Sequence, residues 1–186
     1  MSFNRHLELI GKHAFLSPSK YHWVNYDEEK LDATFLRSMA AQRGVELHEF
    51  AATAIRLKQR LPRSNRSINA FVNDAIGFRM TPEQPLYVSE NAFGTADAIS
   101  FRDNFLRIHD YKSGVTPCSM TQLELYAAFF CLEYRYKPFD IAIELRIYQN
   151  DEIEILAPEP DRIAHLMDRV ITFDKRIKNL RMEAEL

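Results

Sequence analysis

The stretch Gly94–Gly114, GTADAISFRDNFLRIHDYKSG, decides how this chain is read. Its apolar residues alternate with polar ones on either side of Asp103-Asn104, as in two half-buried strands. Asx residues tolerate the positive φ that a two-residue hairpin loop requires. Taking Asp103-Asn104 as that loop sets Arg102 opposite Phe105, Phe101 opposite Leu106 and Ile99 opposite Ile108. Two steps further, Asp97 falls opposite Asp110, and alternation brings Lys112 to the same face. An apolar wall therefore ends in two carboxylates and an amine.

Directly opposed side chains have Cβ atoms about 4.5–5.5 Å apart. Two carboxylates that close repel, and one protonates unless a cation neutralises them. Lys112 supplies one positive charge, and a divalent ion would supply two and accept oxygen ligands. The D-x-K pair alone reads as an ion pair at a hairpin's end. With Asp97 in register, an ion pair and a hard-cation site are both open.

The surrounding chain supplies candidate partners. Residues 119–136, SMTQLELYAAFFCLEYRY, form an apolar helix in which Gln122 and Tyr126, four apart, share one face. They could orient water or hold a phosphate, or mark a solvent-facing edge. Upstream, residues 28–60 carry helical signals, with Gly44 expected at a break and Leu47, Phe50, Ala51, Ala54 and Leu57 as the buried face. His48 in this segment could be a metal ligand or a structural imidazole. His109 should face away from Asp110, and Glu90 offers a further acid or an exposed strand-end charge. Arg56, Lys58, Arg60, Arg63 and Arg66 form a basic run without an acid among them, a solvated face or a phosphate-binding surface.

The remaining elements complete a fold class. Ser17-Pro18 opens a short helix, and residues 67–78 form an amphipathic helix through Ile68, Phe71, Val72, Ala75 and Ile76. Pro82 and Pro85 close the helical part, and strands follow near 86–90, 94–101 and 105–112. Residues 139–149 and 152–156 pair through a QND turn, and a helix runs from 161 to the end. The expectation is an α/β domain spanning 1–186. In it, 1–80 are mainly a helical elaboration, 85–157 are a small mixed sheet core with the site, and 159–186 are a terminal helix.

Bulk properties narrow the classes. The chain has 186 residues, a formal net charge of -2 and 46% hydrophobic residues, so any polyanion site must be a local patch. No apolar run is long enough to span a membrane. The first residues mix charges with apolar side chains and have no signal-peptide core, so a cytoplasmic setting is expected. Cys118 and Cys131 suit a reducing compartment and are too few for a four-cysteine zinc or iron–sulfur site.

Taken in order, Gly44/His48, Gly94/Asp97, Asp110/Lys112 and Gln122/Tyr126 resemble the RecB-like, Cas4-like branch of the PD-(D/E)XK nuclease superfamily. The likeness covers about residues 44–127, and more loosely LSPSKYHW at 16–23. It implies a restriction-endonuclease-like core and Mg²⁺- or Mn²⁺-dependent hydrolysis of phosphodiester bonds. His48, Asp97, Asp110 and the backbone carbonyl of Tyr111 would bind the metal. Lys112 would activate the attacking water, and Gln122 and Tyr126 would support Lys112 or touch substrate. The absence of four cysteines departs from Cas4-like members and implies no iron–sulfur cluster. With no Walker A loop, the chain resembles a stand-alone, phage-type DNA exonuclease. Its setting would be recombination, replication or repair in a bacterial or phage-infected cell, alongside a recombination or replication partner. Alternatives are a structure-specific or nicking endonuclease, or a non-catalytic DNA-binding module on the same fold.

Overall fold

The computed structural model describes residues 7–9, 11, 12 and 14–184. Most of the N-terminal segment read for targeting, and Glu185 and Leu186 of the expected terminal helix, lie outside the described residues. The elements are α1 (Glu28–Arg56), α2 (Ser67–Gly77), β1 (Thr81–Ser89), β2 (Ala92–Arg102), β3 (Phe105–Tyr111), α3 (Thr121–Tyr134), β4 (Ala142–Gln149), β5 (Glu152–Leu156) and α4 (Pro160–Ala184). Two 3₁₀ helices, Leu7–Leu9 and Pro18–Asn25, precede them, and a third, Pro138–Asp140, precedes β4. The chain divides into two compact units, Met1–Arg43 and Gly44–Leu186.

The larger unit is an α/β fold around a five-stranded mixed sheet in the order β1-β2-β3-β4-β5. β1, β2 and β3 are antiparallel neighbours, β3 and β4 are parallel, and β4 and β5 close an antiparallel hairpin. Parallel neighbours need a crossover connection, which α3 provides.

The β2–β3 register follows the sequence expectation from Arg102↔Phe105 to Ala98↔His109. Asp103 and Asn104 both take positive φ, 49° and 55°, as the two-residue turn demands. Asn150 and Asp151 repeat this device between β4 and β5, with φ of 51° and 61°.

Each sheet face has its own core. On one face α3 and α4 bury Leu86, Leu106, Ile108, Leu145 and Ile147 together with Leu123, Ala127 and Ile163. On the other, Ala51, Ala54 and Ile55 of α1 join Phe71, Val72 and Ala75 of α2 over Ala98, Tyr111 and Tyr148. His109 lies on this second face, away from Asp110, fully buried with Nδ1 3.1 Å from the Tyr148 hydroxyl.

Several expectations are corrected. α1 runs unbroken through Gly44, because the glycine serves a close approach: a Cβ there would lie 3.0 Å from Ser113 Oγ. Its buried face is Ala51, Ala52, Ala54 and Ile55, while Phe50 and Leu57 are exposed. The helix ends before Pro62, where Lys58 turns left-handed at φ 55° and Gln59 N–H donates to Ala54 O at 2.9 Å. Pro82 and Pro85 sit inside β1, which an edge strand tolerates.

Candidate metal centre

Strict alternation along β2 fails at Asp97. Ala96 packs under α3 and Ala98 packs under α2, whereas a regular strand puts residues two apart on one face. The cause sits in β1. Glu83 falls between the Pro82↔Ala98 and Gln84↔Ala96 pairs and has φ 50°, a left-handed conformation inside a strand. The same-face continuation from Ile99 to Asp97 is therefore corrected: the irregularity re-aims both acids.

The re-aimed acids meet α1. His48 Nδ1 lies 3.2 Å from Asp97 Oδ2, and that oxygen also accepts the Tyr111 amide at 2.9 Å. One ligand atom each from His48, Glu83 and Asp97 falls within 4.8 Å of the others. The His48 ring leans on Tyr111 at 5.5 Å between centroids, and Tyr111 in turn packs on Phe71.

A second constellation continues from Asp110, which is 2% exposed. Lys112 Nζ donates to Asp110 Oδ1 at 3.2 Å and lies 3.0 Å from Oδ2. Oδ2 itself is buried and has no hydrogen-bond partner among the described residues, with the Lys112 ammonium as its ion-pair partner. Lys112 Nζ also donates to Gln122 Oε1 at 3.0 Å, and Gln122 Nε2 reaches the Tyr126 hydroxyl at 3.5 Å. Tyr126 lies over Gly94, where a Cβ would come within 3.0 Å of the ring. The backbone supports this row: Lys112 N–H donates to Tyr148 O, and Gln149 Nε2 holds the following loop at Thr116 O.

Electrostatics join the two groups. Burial pushes the Asp110 carboxyl up to about 6, the Asp97 charge adds to this, and Lys112 opposes it. Glu83 is also raised, first by burial and then by Asp97. The hydrogen bond to Asp97 raises His48 against the pull of burial. Lys112 is lowered by burial but raised more by the charge and hydrogen bond of Asp110, for a net upward shift. Glu83, Asp97, Asp110 and the nearby Glu49 thus outnumber Lys112, His48 and Arg56, an excess of negative charge that favours a cation.

The site residues expected from sequence divide cleanly. His48 and Asp97 form one group, with the Tyr111 amide bound to Asp97; Asp110, Lys112, Gln122 and Tyr126 form the other. Glu83 was missed. Its only signal was an acid between two prolines, and periodicity is blind to a residue whose backbone breaks the strand's alternation. Glu90, the acid considered instead, is exposed and ion-paired to Arg181 at 2.8 Å. Arg56, Lys58, Arg60, Arg63 and Arg66 are all exposed. Arg60 and Arg63 line a cleft of about 560 Å³ with Asn73 and Asp74.

No protein-family model matches the chain, no curated protein matches it, and no solved structure matches it. No described helix is long and apolar enough to cross a membrane.

Proposed function

We propose that this chain is a divalent-metal-dependent nuclease that hydrolyses DNA phosphodiester bonds. We read it as a RecB-like, Cas4-like exonuclease with a restriction-endonuclease-like core, acting in recombination, replication or repair. One observation carries the reading. Separate elements converge to set His48, Glu83 and Asp97 beside a buried Asp110 whose lysine partner is held by Gln122.

The residues fit an Mg²⁺ or Mn²⁺ ion. The donor set is carboxylate oxygens with one imidazole, chemistry that suits hard and borderline divalent ions. Asp110 Oδ2 is a buried carboxylate oxygen 3.0 Å from the Lys112 ammonium, and an ion there would share it with that charge. His48, Glu83, Asp97, Asp110 and the Tyr111 carbonyl would hold the ion. When bound, it supplies Lewis acidity and a lower pKa for water.

The chain's own groups do the rest. A lysine ammonium has three N–H donors, and Lys112 gives one to Asp110 and one to Gln122. Its third can go to a phosphate oxygen or to the attacking water, with its direction fixed by the other two. Gln122 keeps Lys112 from collapsing wholly onto Asp110. The Tyr126 hydroxyl stands at the end of this row as a further donor to phosphate. Burial around Asp110 keeps the local dielectric low, so the Lys112–Asp110 contact is stronger than it would be in water. The exposed arginines from Arg56 to Arg66 offer phosphate contacts along a bound strand.

The experiment is digestion of linear, nicked and supercoiled DNA by the purified chain with Mg²⁺, Mn²⁺ or EDTA. Metal-dependent loss of linear DNA from its ends supports the exonuclease. Nicking of closed circles moves the reading to an endonuclease. DNA bound but intact with either metal makes it a non-catalytic module and overturns the proposal.

A further inference from the structure

The smaller unit, Met1–Arg43, carries its own cavity of about 980 Å³. That volume is at the upper end of the roughly 300–1,000 Å³ typical of small-ligand sites. Its walls combine two kinds of side chain. Trp23, Tyr26 and Phe35 bring aromatic surface, and Lys20, Lys30 and Arg37 bring positive charge. Among the described residues that line it there is no carboxylate.

The rings are held rather than loose. Trp23 Nε1 donates to Ser17 O at 3.0 Å, which fixes the indole against a buried serine. Phe15 meets Phe35 edge to face at 5.1 Å between centroids. Lys30 Nζ stands 4.7 Å from the Tyr26 ring centre, so charge and π-face are already paired. Lys20, Lys30 and Arg37 are all exposed at the rim.

A ligand that satisfies both features carries flat rings and negative charge at short, repeating spacing. We propose that this cavity binds unpaired nucleotides of a nucleic-acid strand, with bases stacked on Trp23 and Tyr26 and phosphates held by Lys20, Lys30 and Arg37. Stacking platforms beside a basic rim are how proteins hold single strands without reading sequence. A duplex has its base faces covered and cannot use the rings. The inference goes beyond the cleavage reading and does not depend on it, because binding needs no metal.

Trp23 is the chain's single tryptophan and therefore reports on this cavity alone. The test titrates the full chain, in EDTA, with oligothymidylate of about ten nucleotides, within the ~4–16 that a single-strand site spans. Trp23 emission should quench saturably, and a blunt duplex should require about tenfold more nucleic acid. The triple variant Lys20→Ala/Lys30→Ala/Arg37→Ala should weaken binding at least about tenfold and flatten the salt slope by about 2, at roughly 0.7 per lost phosphate contact. Its changes are confined to exposed side chains, and circular dichroism checks the fold. Glu90→Ala, at an exposed acid outside both sites, must quench like the parent. A labelled strand that binds without changing Trp23 emission overturns the proposal. So does equal affinity for blunt duplex, or for pyrophosphate, which would reduce the cavity to an anion patch. Quenching by a chain that cleaves nothing leaves this proposal standing and removes the nuclease reading instead.

Discussion

Glu83 lies opposite Asp97 across β1 and β2, at a step where the two strands do not pair and Glu83 adopts φ 50°. A non-glycine residue held there costs on the order of 1–3 kcal/mol, and such strain gathers at functional sites. Burial pushes the Glu83 carboxyl up, and the repulsion from Asp97 beside it pushes it further. Both penalties serve to bring an acid to His48. Glu83→Gly should therefore separate stability from function. Without metal at neutral pH its melting temperature should rise by about 2–4 °C, as about 1 kcal/mol of relieved strain would give. Its Mn²⁺ affinity, read by calorimetry, should fall at least about tenfold. Glu90→Ala should leave Mn²⁺ affinity alone. If Glu83→Gly binds Mn²⁺ like the parent, Glu83 is no ligand.

Lys112 and Gln122 should fail in different ways. Removing the ammonium in Lys112→Ala takes away a cation aimed at the reacting centre, and such groups are worth about 10²–10⁴ in rate. Gln122→Ala keeps the ammonium but frees it to turn fully toward Asp110. A smaller loss of kcat, about tenfold, is expected, with KM little changed. Equal losses for the two variants in single-turnover cleavage would mean Gln122 has its own role at the substrate.

The sequence made the β2–β3 hairpin legible because Asp103-Asn104 fixes its register and apolar alternation runs on either side. Asp110, Lys112 and Gln122 were legible for the same reason: regular strand and helix geometry carries them to one place. What alternation could not reveal was the break at Asp97. That break depends on the backbone of Glu83, and a positive φ at glutamate leaves no mark in composition or spacing. The Gly44 reading erred because glycine in a helix usually signals an end, whereas here it makes room for Ser113. The prolines of β1 misled similarly, since edge position is a property of the sheet and not of the local sequence.

The two close-packed glycines should respond oppositely to alanine. At Gly44 the added Cβ meets Ser113 Oγ at 3.0 Å, the tip of a short side chain that can rotate away. Replacing a mid-helix glycine gains about 1 kcal/mol of helix propensity. Gly44→Ala should thus be neutral or stabilising in thermal melts. At Gly94 the added Cβ meets Tyr126 Cε1 at the same distance, and that ring is part of the row ending at Lys112. Gly94→Ala should displace Tyr126 and lower cleavage several-fold even where the melt is unchanged. Unchanged cleavage in Gly94→Ala would show that Tyr126 does not need this seat.

The acid limb of stability should come from neighbours with opposite signs. His109 is fully buried; burial, then the charges of Arg146 and Arg107, hold it down to about 3 from an ordinary 6.5. The unfolded chain therefore binds a proton there that the fold refuses, and stability is lost as pH falls from about 6.5 toward 3. Asp110 runs the other way. Burial and Asp97 raise it from 3.8 to about 6, so the folded state keeps a proton the unfolded state has released. Its contribution weakens the fold as pH rises through that window, by about 3 kcal/mol once pH exceeds 6. In EDTA, Asp110→Asn should raise urea stability at pH 7.5 by on the order of 2 kcal/mol and change little near pH 4. His109→Asn, which keeps a polar partner for Tyr148, should flatten the loss between pH 6 and 4. Adding Mn²⁺ should stabilise the parent at pH 7.5 and not Asp110→Asn, because the ion would relieve the same buried charge that the amide removes. An Asp110→Asn chain no more stable than the parent at pH 7.5 would show that Lys112 already neutralises Asp110 in full, leaving no strain for an ion to relieve.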